Sequence, residues 1–240
     1  MIALINGKLM TITQGIIKKG AILIDNGRIL DLGKDIDIPN DVEIYDISGK
    51  IVTPGLIDAH CHTGIFADGV GWRESDGNEM TDPLTPHLRA IDAIHPEDIA
   101  FKDLREAGVT TINTGPGSGN LIGGQFACLK TKKVKTVEEM LIMVPSGMKM
   151  ALGENPKRVY GEQKKLPSTR MGNAAQLRSA LVAAQNYKEK WTRYQAKYKR
   201  YQDKLQRWEA EPKEKRGEQP EAPDAPERDI KMEALIPVID

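Results

Sequence analysis

Ile51-Val52-Thr53-Pro54-Gly55-Leu56-Ile57-Asp58-Ala59-His60-Cys61-His62 is an apolar run that ends in two histidines one residue apart. Its apolar character on both faces suits a buried strand rather than a surface one. Alternate side chains of a strand point the same way, so His60 and His62 project together and Cys61 points to the opposite face. Two imidazoles on one side of a strand end can grip a single divalent cation. Zinc, manganese, iron, cobalt and nickel all accept nitrogen ligands, zinc most commonly. A bare His-x-His is also a frequent chance pair, and a strand histidine is often only a hydrogen-bonded polar residue. The flanking sequence decides between these readings.

Upstream, residues 1–51 form short β-rich runs broken by turn signals: IALIN, LMTIT, AILIDNGRILDLG with an Asn26-Gly27 hairpin turn, and VEIYDI closing at Ser48-Gly49. Downstream, a Gly/Asp-rich loop leads to a helix pattern from Pro96 to Ala107, with Gly108 as its C-cap, and then to the strand VTTINTG. Strand, loop, helix, strand is the rhythm of parallel βαβ units. It continues in FACLKT, a short helix VEEMLI, and GMKMALGE as a further strand. Four candidate strands by about Glu154 are half the number of an eight-stranded barrel.

With this setting, VTPGLIDAHCH resembles the first-strand signature of the amidohydrolase superfamily, in the branch of the imidazolonepropionase-like enzymes. The resemblance implies an α/β fold: a small N-terminal β-sandwich on residues 1–51 and the first half of a TIM-type (β/α)8 barrel on residues 52–240. The metal then sits at the C-terminal strand ends, where barrel enzymes keep their chemistry. It also implies a hydrolase of a carbon–nitrogen bond in a small amide or peptide-like compound, using one or two divalent ions, zinc foremost; the two cysteines and the N-terminal sequence separately point to a cytoplasmic protein. In such a site metal-activated water attacks the carbonyl.

Family members complete the site with a carboxylate or carboxylated lysine from the fourth strand, histidines from the fifth and sixth, and an aspartate from the eighth. The other two histidines of this sequence, His87 and His95, both precede the second strand. The expectation is therefore a fragment with a partial site and no catalytic base of its own, binding metal weakly and inactive alone. For the fourth-strand ligand the sequence offers Glu154, at the end of GMKMALGEN. Lys149 is its competitor, deeper in the strand. Asp58, on the face of His60 and His62, suits a residue that orients a ligand imidazole. His87, Arg158 and Arg170 are candidates for substrate contact, as is Tyr160; an arginine is equally often a solvated charge. Gly115 to Gln125, a glycine-rich loop after the second strand, suits either tight turns or lining of the site.

Asn173 to about Ala210 has no Pro or Gly and reads as one long helix. Tyr187, Trp191, Tyr194, Tyr198, Tyr201, Leu205 and Trp208 form a heptad seam along it. Such a seam buries on its own protein or on a neighbouring subunit, which leaves a homo-oligomer open. It also supports a rival reading, a non-catalytic protein that associates through this helix. Residues 211–229, rich in Pro and Glu, read as a flexible surface loop.

Composition excludes more than it assigns. Lys plus Arg equals Asp plus Glu at 34 each, so no bulk charge argues for nucleic acid or an anionic membrane, and such a partner would need a local patch. Two cysteines make no secreted disulfide framework. The sequence shows neither a signal peptide nor an apolar run long enough for a membrane helix.

Overall fold

The structure is a computed structural model that describes residues 1–68 and 71–240. The chain divides into two compact units, Met1–Leu56 and Ile57–Asp240. Among the described residues no helix is long and apolar enough to cross a membrane.

The first unit holds one five-stranded sheet: β1 (Ile2–Met10), β2 (Ile16–Asp25), β3 (Arg28–Gly33), β4 (Glu43–Asp46) and β5 (Ile51–Val52). Strands β3, β2 and β1 run antiparallel, while β4 and β5 pair in parallel with successive halves of β1. The Asn26-Gly27 turn joins β2 to β3 with φ of 48° and 73°, the two positive values that a two-residue hairpin of matching twist requires. Gly7 sits opposite Gly20, and a Cβ on Gly7 would come within 2.4 Å of Ile47. A sandwich was expected here. Within this unit the five strands pair edge to edge into a single layer, and Ile29, Leu30, Ile44 and Ile51 on it remain exposed.

The second unit is built on a four-stranded sheet in the order β6-β7-β8-β9, comprising β6 (Leu56–Cys61), β7 (Val109–Thr114), β8 (Ile122–Lys130) and β9 (Leu141–Met150). Between β6 and β7 lies α1 (Ile99–Glu106), capped by Asp98, whose side chain accepts from the Ala100 N–H. Bonds from Asn113 to Ala59 and from Gly115 to Cys61 advance in step along β6 and β7, the sense of a parallel pair. After β7 the sheet departs from the expected rhythm, because β7–β8 and β8–β9 are both antiparallel. The reason is length. Residues 115–121 are too few for a crossover helix, and VEEM yields only the 3-10 turn Glu138–Met140, which runs straight into β9. Four strands are present as expected, but the last three form a meander.

Phe101 of α1, 1% exposed, packs with Ile65, Ile112, Ala127, Leu129 and Met140 on one face of this sheet, with Cys61 at its edge. After β9 come α2 (Glu154–Glu162), the 41-residue α3 (Arg170–Ala210) and α4 (Ile230–Ile239). Ala180 and Ala184 of α3 meet Leu235 of α4 and Ile122 of β8, which fixes the first half of the long helix. Beyond Tyr187 no residue of α3 is fully buried. Its aromatic rings stack along the helix, with successive centroids from Tyr187 to Tyr201 at 6.2, 5.7, 5.7 and 5.8 Å.

The proline-rich segment is tied at both ends to that seam. The Trp208 indole donates to the Gly217 carbonyl, and the Asp229 N–H donates to the Tyr187 hydroxyl. Tyr187 and Trp208 are about 31 Å apart along the helix. The twelve residue steps from Gly217 to Asp229 span about 37 Å in polyproline II geometry, so the segment must run back nearly extended beside α3. Pro220, Pro223 and Pro226 are half-buried while the residues between them are exposed. A three-residue period is that of a polyproline II helix with one edge laid down. The aromatic seam is thus occupied by its own chain, and Gly217–Asp229 is a strap.

Candidate metal centre

His60 is in β6, and His62 follows its last residue. Their rings lie 5.5 Å apart between centroids and nearly perpendicular, at 81°. Cys61 points away into the core beneath α1, as strand alternation requires. The His62 Nδ1–H donates to the Gly115 carbonyl at 2.7 Å. A carbonyl can only accept, so Nδ1 carries the proton and Nε2 keeps the free lone pair. The His60 ring rests against Phe126 at 5.4 Å, and its Nε2 lies 3.4 Å from the Lys149 Nζ. Lys149 is half-buried next to the last residue of β9, and burial pushes its pKa down. Close by in the same sheet, Ser146 donates to Asn113, whose amide donates to the Ala59 carbonyl of the histidine strand.

Glu154 does not join this group. Among the described residues, no cluster of three or more His, Cys, Asp or Glu is placed to hold a metal ion. Strand β9 ends at Met150, and Glu154 is the exposed first residue of α2, with Pro156 in the same first turn. An acidic residue there complements the helix dipole. Glu-Asn-Pro is a helix-start signal, and the sequence reading placed it one element too early. The residue that β9 does bring to His60 is the competitor, Lys149.

Asp58 is also used differently from the expectation. Its carboxylate accepts from the His60 backbone N–H at 3.0 Å, so it braces the strand rather than the imidazole. His87 is half-buried in the segment that bridges to β8 through Leu84 and Arg89, and its Nδ1 is enclosed with no partner among the described residues. Arg158 is exposed on α2 and Arg170 is exposed at the start of α3; no hydrogen bond or ion pair among the described residues joins either to the histidines. Tyr160 is fully enclosed, and its hydroxyl donates to Asn120 at 2.6 Å, which removes it from substrate contact.

The glycine-rich loop is mainly a close-packing device. The Gly117 N–H donates to the Gly77 carbonyl and the Gly119 N–H to the Asn78 side chain, both at 2.7 Å. A Cβ at Gly117 or Gly119 would come within 2.5 or 2.8 Å of the Asn78 amide, so a side chain at either position would displace the amide that bonds the Gly119 N–H. Among the described residues the loop's hydrogen bond to the histidines is made by the Gly115 carbonyl.

No protein-family model matches the chain. A curated relative, the amidohydrolase tasK of Hapsidospora irregularis, is 33% identical over 179 residues, which is 69% of this chain and 18% of that protein. A dihydroorotase of Geobacter metallireducens is 46% identical over 56 residues, 23% of this chain and 13% of its own. The solved structure of an amidohydrolase from Thermotoga maritima superposes with a TM-score of 0.78 at 39% identity, over 98% of this chain and 54% of that one. The chain thus spans about half of that structure and less than a fifth of either curated relative.

Proposed function

Because the chain belongs to the amidohydrolase superfamily, we propose that its histidine pair is part of a metal centre that hydrolyses a carbon–nitrogen bond in a small amide or peptide-like compound. The observation that carries this reading is the arrangement of the pair: His62 held in one tautomer by Gly115, His60 beside it, and Lys149 against the outer nitrogen of His60. A neutral imidazole whose Nδ1–H is held by a carbonyl is the form in which histidine binds a cation through Nε2. His60 and His62 therefore fit two positions of a site for a divalent ion, zinc being the commonest choice for nitrogen donors. Such an ion, when bound, lowers the pKa of water and polarises the scissile carbonyl.

Lys149, rather than Glu154, would supply the fourth-strand ligand. Addition of carbon dioxide to its neutral amine forms an N–C bond, releases a proton to solvent and leaves a carbamate, an anionic oxygen donor on the strand next to His60. Phe126 excludes water from one side of the His60 ring, and Asp58 holds the His60 backbone.

Metal analysis of the full-length protein tests this. His60→Ala and His62→Ala are expected to lose bound metal and amide hydrolysis together. Lys149→Ala is expected to lose metal and also the carbamate carbon signal that labelled bicarbonate gives by NMR. A full-length protein that holds no divalent ion, and whose hydrolysis is untouched by His60→Ala, rules the reading out.

A further inference from the structure

The distal half of α3 carries a second pattern beside its aromatic seam. Lys190, Arg193, Lys197, Arg200, Lys204 and Arg207 recur at alternating spacings of three and four, each one residue before a seam position. They form one continuous basic stripe, and all six are exposed. Among the described residues its only ion pair is Arg193 with Glu189 on the same helix.

The strap carries a matching pattern of opposite sign. Glu218, Glu221, Asp224 and Glu227 recur every third residue, in phase with one another and out of phase with the prolines. In a polyproline II helix of three residues per turn they line one edge while Pro220, Pro223 and Pro226 line another. The proline edge is half-buried and all four acidic residues are exposed. No ion pair among the described residues connects the acidic edge to the basic stripe of the same chain.

We propose that two copies of this chain associate arm to arm, the basic stripe of one helix lying on the acidic strap edge of the other. The dimensions agree: the stripe from Lys190 to Arg207 is about 26 Å long, and the edge from Glu218 to Glu227 is about 28 Å. Each arm carries both surfaces, so a two-fold axis satisfies both at once, as an isologous interface requires. A second copy fits better than a nucleic acid. A polyanion on the stripe would be met by the neighbouring row of carboxylates, whereas a second copy complements both rows. The aromatic seam is left out of this pairing because both of its ends, Tyr187 and Trp208, are already bonded to the strap of the same chain. Contacts between exposed charges make such an association strongly salt-dependent.

Sedimentation velocity of the full-length protein tests the proposal. A dimer is expected in about 20 mM salt and a monomer in about 0.5 M, where the screening length falls well below 10 Å. The triple variant Lys197→Glu, Arg200→Glu, Lys204→Glu is expected to be monomeric at low salt, and so is Glu221→Lys, Asp224→Lys, Glu227→Lys. Mixed in equal amounts, the two variants should form a heterodimer, because both charge rows are then complementary again. That rescue also shows that each variant is folded. The single changes Arg200→Glu and Asp224→Lys should each weaken dimerisation by up to about tenfold. A wild-type protein that stays monomeric at low salt overturns the proposal. So does a dimer that survives both triple variants, or a monomer that instead binds a DNA duplex through the stripe.

Discussion

Tyr160 is the largest of the side chains that are fully enclosed, and it begins a buried polar chain. Its hydroxyl donates to Asn120, whose amide donates to Thr85, whose hydroxyl donates to the Ile122 carbonyl. Tyr160→Phe leaves the Asn120 oxygen without its donor in a dry setting, and a loss of about 1–3 kcal/mol is expected in a urea melt. Burial, with the nearby Asp82 and Glu79 charges, pushes the hydroxyl from 10 up to about 12. The folded state therefore keeps a proton that the unfolded chain releases. This contribution is complete below pH 10 and is lost as pH rises from 10 towards 12. Melts across that range should show wild type losing stability more steeply than Tyr160→Phe; parallel curves would refute the assignment. At this scale the sequence was informative where side-chain placement follows from strand period, as for the neighbouring rings of His60 and His62. It was misleading where chemistry depends on where a strand stops. Lys149 and Glu154 are five residues apart, and only the position of the β9 end separates the residue at the histidine from the residue at a helix start.

The long helix and its strap form one element, held at the base by a small polar cluster. Glu233 accepts two bonds from Arg228 and one from Tyr187, and the Arg228 bonds are the main reason that its carboxyl falls from 4.5 to about 2. Stability from this group is present above pH 4.5 and is lost as pH falls towards 2. Hydrogen exchange along the strap should rise over that range in wild type, while Glu233→Gln should exchange faster even at neutral pH. An unchanged strap in the variant would show that the cluster does not hold it. Trp191 is half-buried and Tyr198 is 38% exposed, so Trp191→Ala should lower the melting temperature more than Tyr198→Ala. Phe101→Ala, which empties the space beneath α1, should cost about 3–5 kcal/mol. The hairpin at Asn26-Gly27, the helix at Phe101 and the long helix could all be read from periodicity and caps. The strap and the meander could not. Pro-rich sequence without large apolar residues gives no sign of what lies under it, and VEEM is too short to choose between a helix and a turn.

Among the described residues, β6 and β9 each pair on one side only, and Ile57, Ile142, Met143 and Val144 on these strands are exposed. The two strands at the open edges are the ones that carry His60 and Lys149, so the residues proposed for the metal lie where the sheet lacks neighbours. The sequence pattern places a boundary after residue 51, and the compact units divide between Leu56 and Ile57. The direction of the last strands was not legible, because four strands separated by loops are compatible with both a barrel half and a meander. Catalytic zinc generally takes three protein ligands besides its water. The described residues contribute two imidazoles and one lysine, with no third His, Cys, Asp or Glu gathered beside them. The 240-residue chain expressed alone should therefore take up zinc only weakly and entirely through the histidine pair, should lose that uptake in His60→Ala, and should turn over no amide. Calorimetric titration with zinc and an activity screen on the same preparation read both quantities. Stoichiometric zinc retained through gel filtration, together with steady turnover, would mean that a complete centre lies within these residues and that Lys149 and the histidine pair suffice to build it.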